Sequence, residues 1–448
     1  MAYRRGRVSG LAGLVILTRR QLLATAGVIG ASAAAAGSGS GLQRLLAPDG
    51  RPDLLEAAAL PAPASSGIEH VVVVMMENRS FDHFLGWLAG ASGRQSGMTF
   101  TDRYGVPHRT HHLTQFSSCD FNDPDHSYEG GRIELNGGRC DGWLKAGVND
   151  SLAIGYYTQR DLAFLGGAAT AWTTCDHYFS AVMAETYPNR FYQHAAQTDR
   201  LHNSTATSTL PTIWDRLAAA RVSGRYYFSD VPFTALWGTR YLPISKPFAS
   251  FLSDAAAGTL PAVSIVDPRF LDEASGSSSD DHPKADIRAG EQFLNQVYTA
   301  VTSSPAWRNT VLVINFDEWG GFFDHVAPGT APDVSAATAL RGFRVPALVI
   351  SPMARRAYLA HQTYDHTSVL KMIEWRWGLP ALTPRDAAAR NLAEVLDFSV
   401  APNLSAPKFA VPPFVAAACA PSQVTGAEQA EWPDLKKKAL AAGWRLPS

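Results

Sequence analysis

Four apolar runs rich in β-branched residues punctuate the chain: Val71 to Met76, Ala262 to Val266, Val311 to Phe316 and Val345 to Ile350. Unbroken runs of this length predict strands buried on both faces, as in a parallel sheet. Between them, Thr212 to Ala220, Ala289 to Thr302 and Thr367 to Trp377 carry apolar residues at helical spacing. Strands alternating with helices predict an α/β fold around a central, mostly parallel sheet.

Two polar stretches interrupt this alternation. Asp102 to Gly155 is Gly-rich and carries His108, His111, His112 and His126; Leu271 to His282 is acidic and Ser-rich and reads as a flexible loop. Long loops on a rigid sheet often carry function. Residues from Gly37 to Ser66 are rich in Ala, Pro, Gly and Ser and read as a linker, so the folded domain is expected to begin near Gly67. The tail from Ala401 has many prolines and little period, which predicts irregular packing along the domain.

The ends of two apolar runs are where chemistry first shows. The run to Met76 stops on Glu77, Asn78 and Arg79; the run to Phe316 stops on Asp317 and Glu318, followed by Trp319 and the Gly320-Gly321 pair. In open α/β sheets, ligands bind just beyond the carboxyl ends of the strands. An acid at one junction is commonly only a helix cap. Two junctions together place Glu77, Asn78, Asp317 and Glu318 on one sheet edge, as oxygen ligands for a hard cation. The two glycines permit a sharp turn and close approach of the backbone.

A third element is Glu185-Thr186-Tyr187-Pro188-Asn189-Arg190. Pro188 belongs near the first turn of a helix, with Thr186 at its start. A helix N-terminus offers free N–H groups to an anion such as phosphate. Thr186 reads equally as a plain cap or, beside a divalent cation, as a nucleophile toward phosphorus. Arg190 suits a bidentate phosphate clamp. His126, His282 and His366 are candidates to hold or protonate a phosphate ester, although each alone reads as an ordinary histidine.

Composition narrows the class. The 448 residues carry 39 basic and 40 acidic side chains, a formal net charge of -1, which gives no electrostatic case for nucleic acid. Arg19-Arg20 ahead of a weakly apolar, Ala-rich stretch reads as a twin-arginine export signal over residues 1–40, with a linker over 41–66. That stretch falls short of the ~20 strongly apolar residues of a membrane span. The additional apolar run Leu11 to Leu17 is unusual for such a signal and points to a start further along the chain. Export predicts a secreted or cell-wall-associated protein that has engaged the twin-arginine machinery. Of the four cysteines, Cys119 and Cys140 share one irregular stretch and are the expected pair; Cys175 reads as a buried apolar filler, and Cys419 is remote.

The segments Ile68 to Gly86, Cys175 to Tyr192, Asp281 to Val297, Phe316 to Val326 and Tyr364 to Gly378 together resemble the bacterial phosphoesterase family of phospholipases C and related acid phosphatases. The strings Glu-Asn-Arg-Ser-Phe-Asp and Phe-Asp-Glu-x-Gly-Gly-Phe-Phe-Asp-His carry most of the specificity. The resemblance implies an alkaline-phosphatase-like, three-layer α/β/α fold, with a catalytic domain over 67–400 and an extension over 401–448. It implies that Glu77, Asn78, Asp317, Glu318 and Thr186 surround a divalent metal, with Thr186 as nucleophile, and that His126, His282 and His366 serve the phosphate ester. Thr186-x-Pro188-x-Arg190 also resembles the sulfatase motif, but Thr cannot become formylglycine, so sulfate ester hydrolysis is disfavoured. Trp319 departs from the family pattern and is expected to alter pocket shape. Many relatives carry C-terminal β-domains that this sequence does not show, so the resemblance implies no particular lipid preference.

The expected activity is therefore an exported, metal-dependent phospholipase C that takes its substrate transiently from a membrane surface. The alternatives are an acid phosphatase using the same residues and a secreted protein that binds phosphate or phospholipid without turnover. Oxygen-rich ligands leave calcium, magnesium, manganese or carboxylate-bound zinc as the metal.

Overall fold

A computed structural model describes residues 60–273, 275–420, 423 and 431–447. The expected export signal and most of the expected linker lie outside them. Eight strands form the central sheet: β1 (His70–Met76), β2 (Thr173–Cys175), β3 (Gly224–Phe228), β4 (Ser245–Pro247), β5 (Val263–Val266), β6 (Thr310–Phe316), β7 (Ala347–Ile350) and β8 (Tyr358–Ala360). Their order is β8-β2-β7-β6-β1-β5-β3-β4, and only β7 runs against its neighbours. The helices are α1 (Phe81–Leu85), α2 (Tyr128–Leu135), α3 (Leu165–Ala171), α4 (Thr186–Ala195), α5 (Ile213–Ala219), α6 (Phe248–Ala257), α7 (Ile287–Thr302), α8 (His366–Trp377), α9 (Pro384–Ala388) and α10 (Glu431–Ala441).

The four expected strands are all present, and the central pair explains their apolar sequence. Successive side chains of a strand point to opposite faces, yet Val71 to Met76 and every residue of β6 are buried. Both faces of the sheet are therefore covered, which makes the α/β class three-layered. Burying each such side chain contributes ~1.5–3 kcal/mol, so β1 and β6 form the most strongly anchored part of the sheet.

Four expectations are corrected. Cys119 pairs with Cys419, not with Cys140; Cys140 and Cys175 are buried free thiols. The 271–282 segment, expected as a flexible loop, is partly built into the interior, with Ser278, Asp280 and Asp281 fully buried. Its backbone is fastened by the Arg79 guanidinium, which donates to the Asp281 carbonyl at 2.6 Å and to that of His282 at 3.2 Å. The tail is irregular only in part: an extended stretch carries Cys419, and α10 follows. Trp319 is also fully buried, donating to Glu134 at 2.7 Å, so it shapes the core under α2 rather than a pocket wall.

Candidate active site

The register of β1 against β6 builds the site. Met75 faces Asn315 and Met76 faces Phe316 in parallel pairing, and the Asp317 amide donates to the Met76 carbonyl at 3.0 Å. One step further, Glu77-Asn78 meets Asp317-Glu318, as the two strand ends predict. Asn78 adopts a left-handed backbone with φ 57°, a conformation Asn tolerates better than most residues. Its amide donates to Asp317 Oδ1 at 3.1 Å, and the Glu318 amide donates to the same oxygen at 2.7 Å. Gly320 follows at φ +64°, where an added Cβ would lie 2.1 Å from the Asn78 carbonyl oxygen. Only glycine permits this approach of the two loops.

β5 brings a fourth carboxylate to this edge. Asp267 follows Val266 directly and accepts from the Tyr226 hydroxyl. Sequence reasoning passed over it, although the signal was the same: an apolar run stopping on an acid. Glu273 and Asp280 were also missed as site residues. Their carboxylate oxygens and one of Glu77 lie within 4.8 Å of one another, all buried.

Arg190 stands at the centre of this negative cluster. Its guanidinium is 3.1 Å from Glu77, 3.3 Å from Asp267 and 3.3 Å from Asp317, and it is 2% exposed. All of its nitrogens face carboxylates or main-chain carbonyls, so the expected phosphate clamp is not the arrangement found. The residue neutralises the ends of β1, β5 and β6. Thr186 is the first residue of α4, four positions before Arg190 and thus on the same helix face. It is 4% exposed. Glu185 occupies the cap position without a capping side-chain bond. Instead, the Asn189 amide group bonds Val182, Ala184 and Glu185 and fixes the turn that leads into the helix.

Hydrogen bonding assigns the imidazole roles. His126 Nδ1 lies 2.8 Å from the Pro124 carbonyl, which only accepts, so Nδ1 carries the proton and Nε2 receives the Asn78 side-chain amide at 3.3 Å. That orients Asn78 Oδ1 away from His126. His282 Nε2 faces Asp123 at 3.2 Å, leaving Nδ1 buried without a hydrogen-bond partner. Burial, with His126 and Arg79 nearby, holds its pKa well below the usual imidazole value. His366 lies elsewhere in this network. Its Nε2 donates to the Asp317 carbonyl at 2.6 Å and its Nδ1 faces Tyr178, so the structure makes it a support for the Asp317 turn instead of an open acid.

A cation fits the donor set. Asn78 Oδ1, both Glu77 carboxylate oxygens, Asp317 Oδ2 and Asp280 Oδ2 are buried without a hydrogen bond. The Glu77 carboxylate and Asp317 Oδ2 face the Arg190 guanidinium, which they share with Asp267. Burial and the neighbouring carboxylates raise the Glu77 pKa well above its ordinary value, and burial pushes Asp280 up to about 7. Unpaired buried acceptors and excess negative charge at one strand edge are what a hard cation relieves. Glu77, Asn78 and Asp317 lie together there with Glu318 next in sequence, and Thr186 stands one helical turn before Arg190, which bridges the carboxylates.

The second acidic cluster, Asp82, Asp324 and His325, differs in kind. Arg344 bonds both carboxylates, and main-chain amides of Arg94, His325 and Val326 take further oxygens. Its charges and lone pairs are satisfied by the fold.

Comparison with known proteins follows the same segments. The family model described as "Phosphoesterase family" matches residues 68–380. Phospholipase C B of Mycobacterium tuberculosis is 33% identical over 500 residues, covering 92% of this chain and 92% of that protein. Non-hemolytic phospholipase C of Pseudomonas aeruginosa is 31% identical over 433 residues, covering 78% of this chain and 60% of that protein. Non-specific phospholipase C6 of Arabidopsis thaliana is 29% identical over 392 residues, covering 76% and 74% respectively. Among solved structures, a protein of the alkaline phosphatase superfamily from Vibrio parahaemolyticus aligns at 11% identity with a TM-score of 0.38, covering 74% of this chain and 71% of that one.

Proposed function

The chain belongs to the phosphoesterase family and is a phosphoric ester hydrolase; from that premise we propose that it is an exported, metal-dependent phospholipase C. The observation that carries the reading is the β1–β6 register, which sets Glu77-Asn78 against Asp317-Glu318 beside the helix that begins at Thr186. The relatives named as phospholipases C favour a phospholipid diester over a phosphate monoester.

In this reading Glu77, Asn78, Asp317, Glu318 and Thr186 hold a divalent cation. When bound, it lowers the pKa of the Thr186 hydroxyl and offsets charge developing on the phosphoryl oxygens. Thr186 Oγ1 attacks phosphorus. Its proton is lost to a base, the bond from phosphorus to the diacylglycerol oxygen breaks, and that oxygen takes up a proton. His282, with Nδ1 open, and His126 beside it handle these protons. Water then cleaves the phosphothreonine, freeing the phosphorylated head group and restoring the hydroxyl. Arg190 keeps the carboxylates together throughout, and His366 holds the Asp317 turn.

The layout proposed with this activity is an export signal over 1–40, a linker over 41–66, the catalytic domain over 67–400 and an extension over 401–448. Export by the twin-arginine route would deliver the protein to the cell wall or medium. Replacing Arg19 and Arg20 by Lys is expected to retain it inside the cell.

Product identification from a mixed phospholipid extract tests the activity. Diacylglycerol and phosphorylated head groups are expected. They should vanish with chelator and return with one of calcium, magnesium, manganese or zinc. Turnover of p-nitrophenyl phosphate without turnover of a phosphorylcholine diester would establish the monoesterase instead. Full phosphodiesterase activity in Thr186→Ala would overturn the mechanism.

A further inference from the structure

Helix α10 lies beyond the residues 68–380 that match the family, yet its first two residues reach the helix that carries Thr186. The Trp432 ring is 1% exposed and lies flat on Phe270, with centroids 3.9 Å apart and planes at 2°. The Arg190 guanidinium sits over Phe270 at 4.5 Å and over Trp432 at 5.8 Å. The same indole meets the Tyr187 ring edge-on at 5.2 Å. Trp432 thus backs both the residue next to Thr186 and the arginine one turn further along.

Glu431 acts on the same turn by hydrogen bonds. Its carbonyl accepts from the Tyr187 hydroxyl at 3.1 Å, and its carboxylate accepts from the Asn203 side-chain amide. Asn203 Oδ1 in turn accepts from the Tyr187 main-chain N–H at 2.7 Å. First-turn amides of a helix have no intrahelical partner and need an outside acceptor. The Glu185 side chain does not cap; it accepts from the Asn203 amide at 2.5 Å instead. The Tyr187 amide is therefore capped from outside α4 by Asn203, which is gripped by Glu431 from the tail.

We propose that Glu431 and Trp432 are positioning residues that clamp the first turn of α4 and so hold Thr186 and Arg190 in the geometry the reaction needs. This rests on the reading of Thr186 as nucleophile. A misplacement of ~1 Å in a reacting group can cost ~10²-fold in rate, so a clamp of this kind acts on kcat more than on binding.

The test is steady-state kinetics on a soluble phosphorylcholine diester, with thermal melting, for the full chain. Thr186→Ala is measured first: full activity there would fail the nucleophile reading itself. With that variant inactive, Trp432→Ala and Glu431→Ala are each expected to lower kcat ~10-fold or more with KM little changed. Trp432→Phe and Glu431→Gln keep the stacking and the acceptor, and are expected to recover most of the rate. A folded Trp432→Ala or Glu431→Ala protein with unaltered kcat overturns the clamp. If Trp432→Ala does not fold, Glu431→Ala and its Gln partner decide alone. Loss of melting temperature with unaltered kcat, or no recovery in the conservative variants, also overturns it.

Discussion

The Asn78 main-chain N–H donates to the Asp317 carboxylate at 3.1 Å. This bond joins the ends of two parallel strands and fixes one oxygen of Asp317, leaving Oδ2 turned toward the Arg190 side of the cluster. Asp317 therefore has two tasks: one oxygen holds the loops together and the other faces the proposed cation. Asparagine can perform the first but brings no charge to the second. Asp317→Asn is expected to keep its fold by circular dichroism and to lose ~10²-fold or more in turnover, since even outer-shell changes at metal sites cost 10–100-fold. Divalent cation at ~100 times its Kd stabilises a binding protein by ~2.7 kcal/mol. The thermal shift produced by cation in the parent should vanish in the variant, and an equal shift in both would contradict the assignment.

Gly320 supports the same junction from behind. Alanine there meets the Asn78 carbonyl oxygen at 2.1 Å and must hold φ +64°. The left-handed conformation alone costs a non-glycine residue ~1–3 kcal/mol, and the clash adds to that. Gly97 is also left-handed, at φ +79°, but has nothing within 4 Å of an added Cβ. Gly320→Ala is expected to lose more stability than Gly97→Ala in urea unfolding, and also to lose turnover. Gly97→Ala should keep normal turnover. Equal urea midpoints for the two variants would show that the loops have room to part.

What could be read from the chain beforehand follows from burial. β1 and β6 are covered on both faces, so they appear as continuous apolar runs and their ends stand out. Asp267 carried the same signal after a shorter run and was overlooked. β4 and β8 have three residues each and no period to detect. Asp280 and Asp281 sit in a polar segment that reads as exposed. They are buried because Arg79 grips the backbone around them, a tertiary contact no local pattern encodes. Arg190 looked open for phosphate for the same reason: its carboxylate partners come from three separate strand ends.

The pairing of Cys119 with Cys419 was out of reach because sequence spacing carries no distance between remote segments. It links residues 300 apart and ties the tail to the segment that carries Asp123 and His126. Closing so long a loop restricts the unfolded chain strongly, and removing a native disulfide typically costs ~2–5 kcal/mol. Cys419→Ser is expected to lower the unfolding free energy measured in urea by an amount in that range, and reductant should do the same to the parent protein but nothing further to the variant. Cys140→Ser tests the pairing expected from spacing. Its thiol is free, so the variant should respond to reductant as the parent does.

His194 gives a pH dependence whose sign can be stated. It lies on α4, fully enclosed, and accepts from the Trp214 indole at 3.1 Å. Burial, and secondarily Arg190, lower its pKa to about 3. In the unfolded chain it titrates near ~6.5. The folded state thus binds fewer protons than the unfolded state between these values, so stability falls as pH drops below ~6.5 and is unaffected by this group above it. One such proton corresponds to ~1.4 kcal/mol per pH unit. Gln at this position keeps an acceptor for Trp214 but does not titrate. Between pH 6 and pH 4.5, His194→Gln is therefore expected to lose stability less steeply than the parent, by about one proton's worth of slope in urea unfolding. At pH 8 the variant should show only the packing cost of the substitution, independent of pH. Parallel slopes across the acid range would mean that His194 takes up its proton inside the fold.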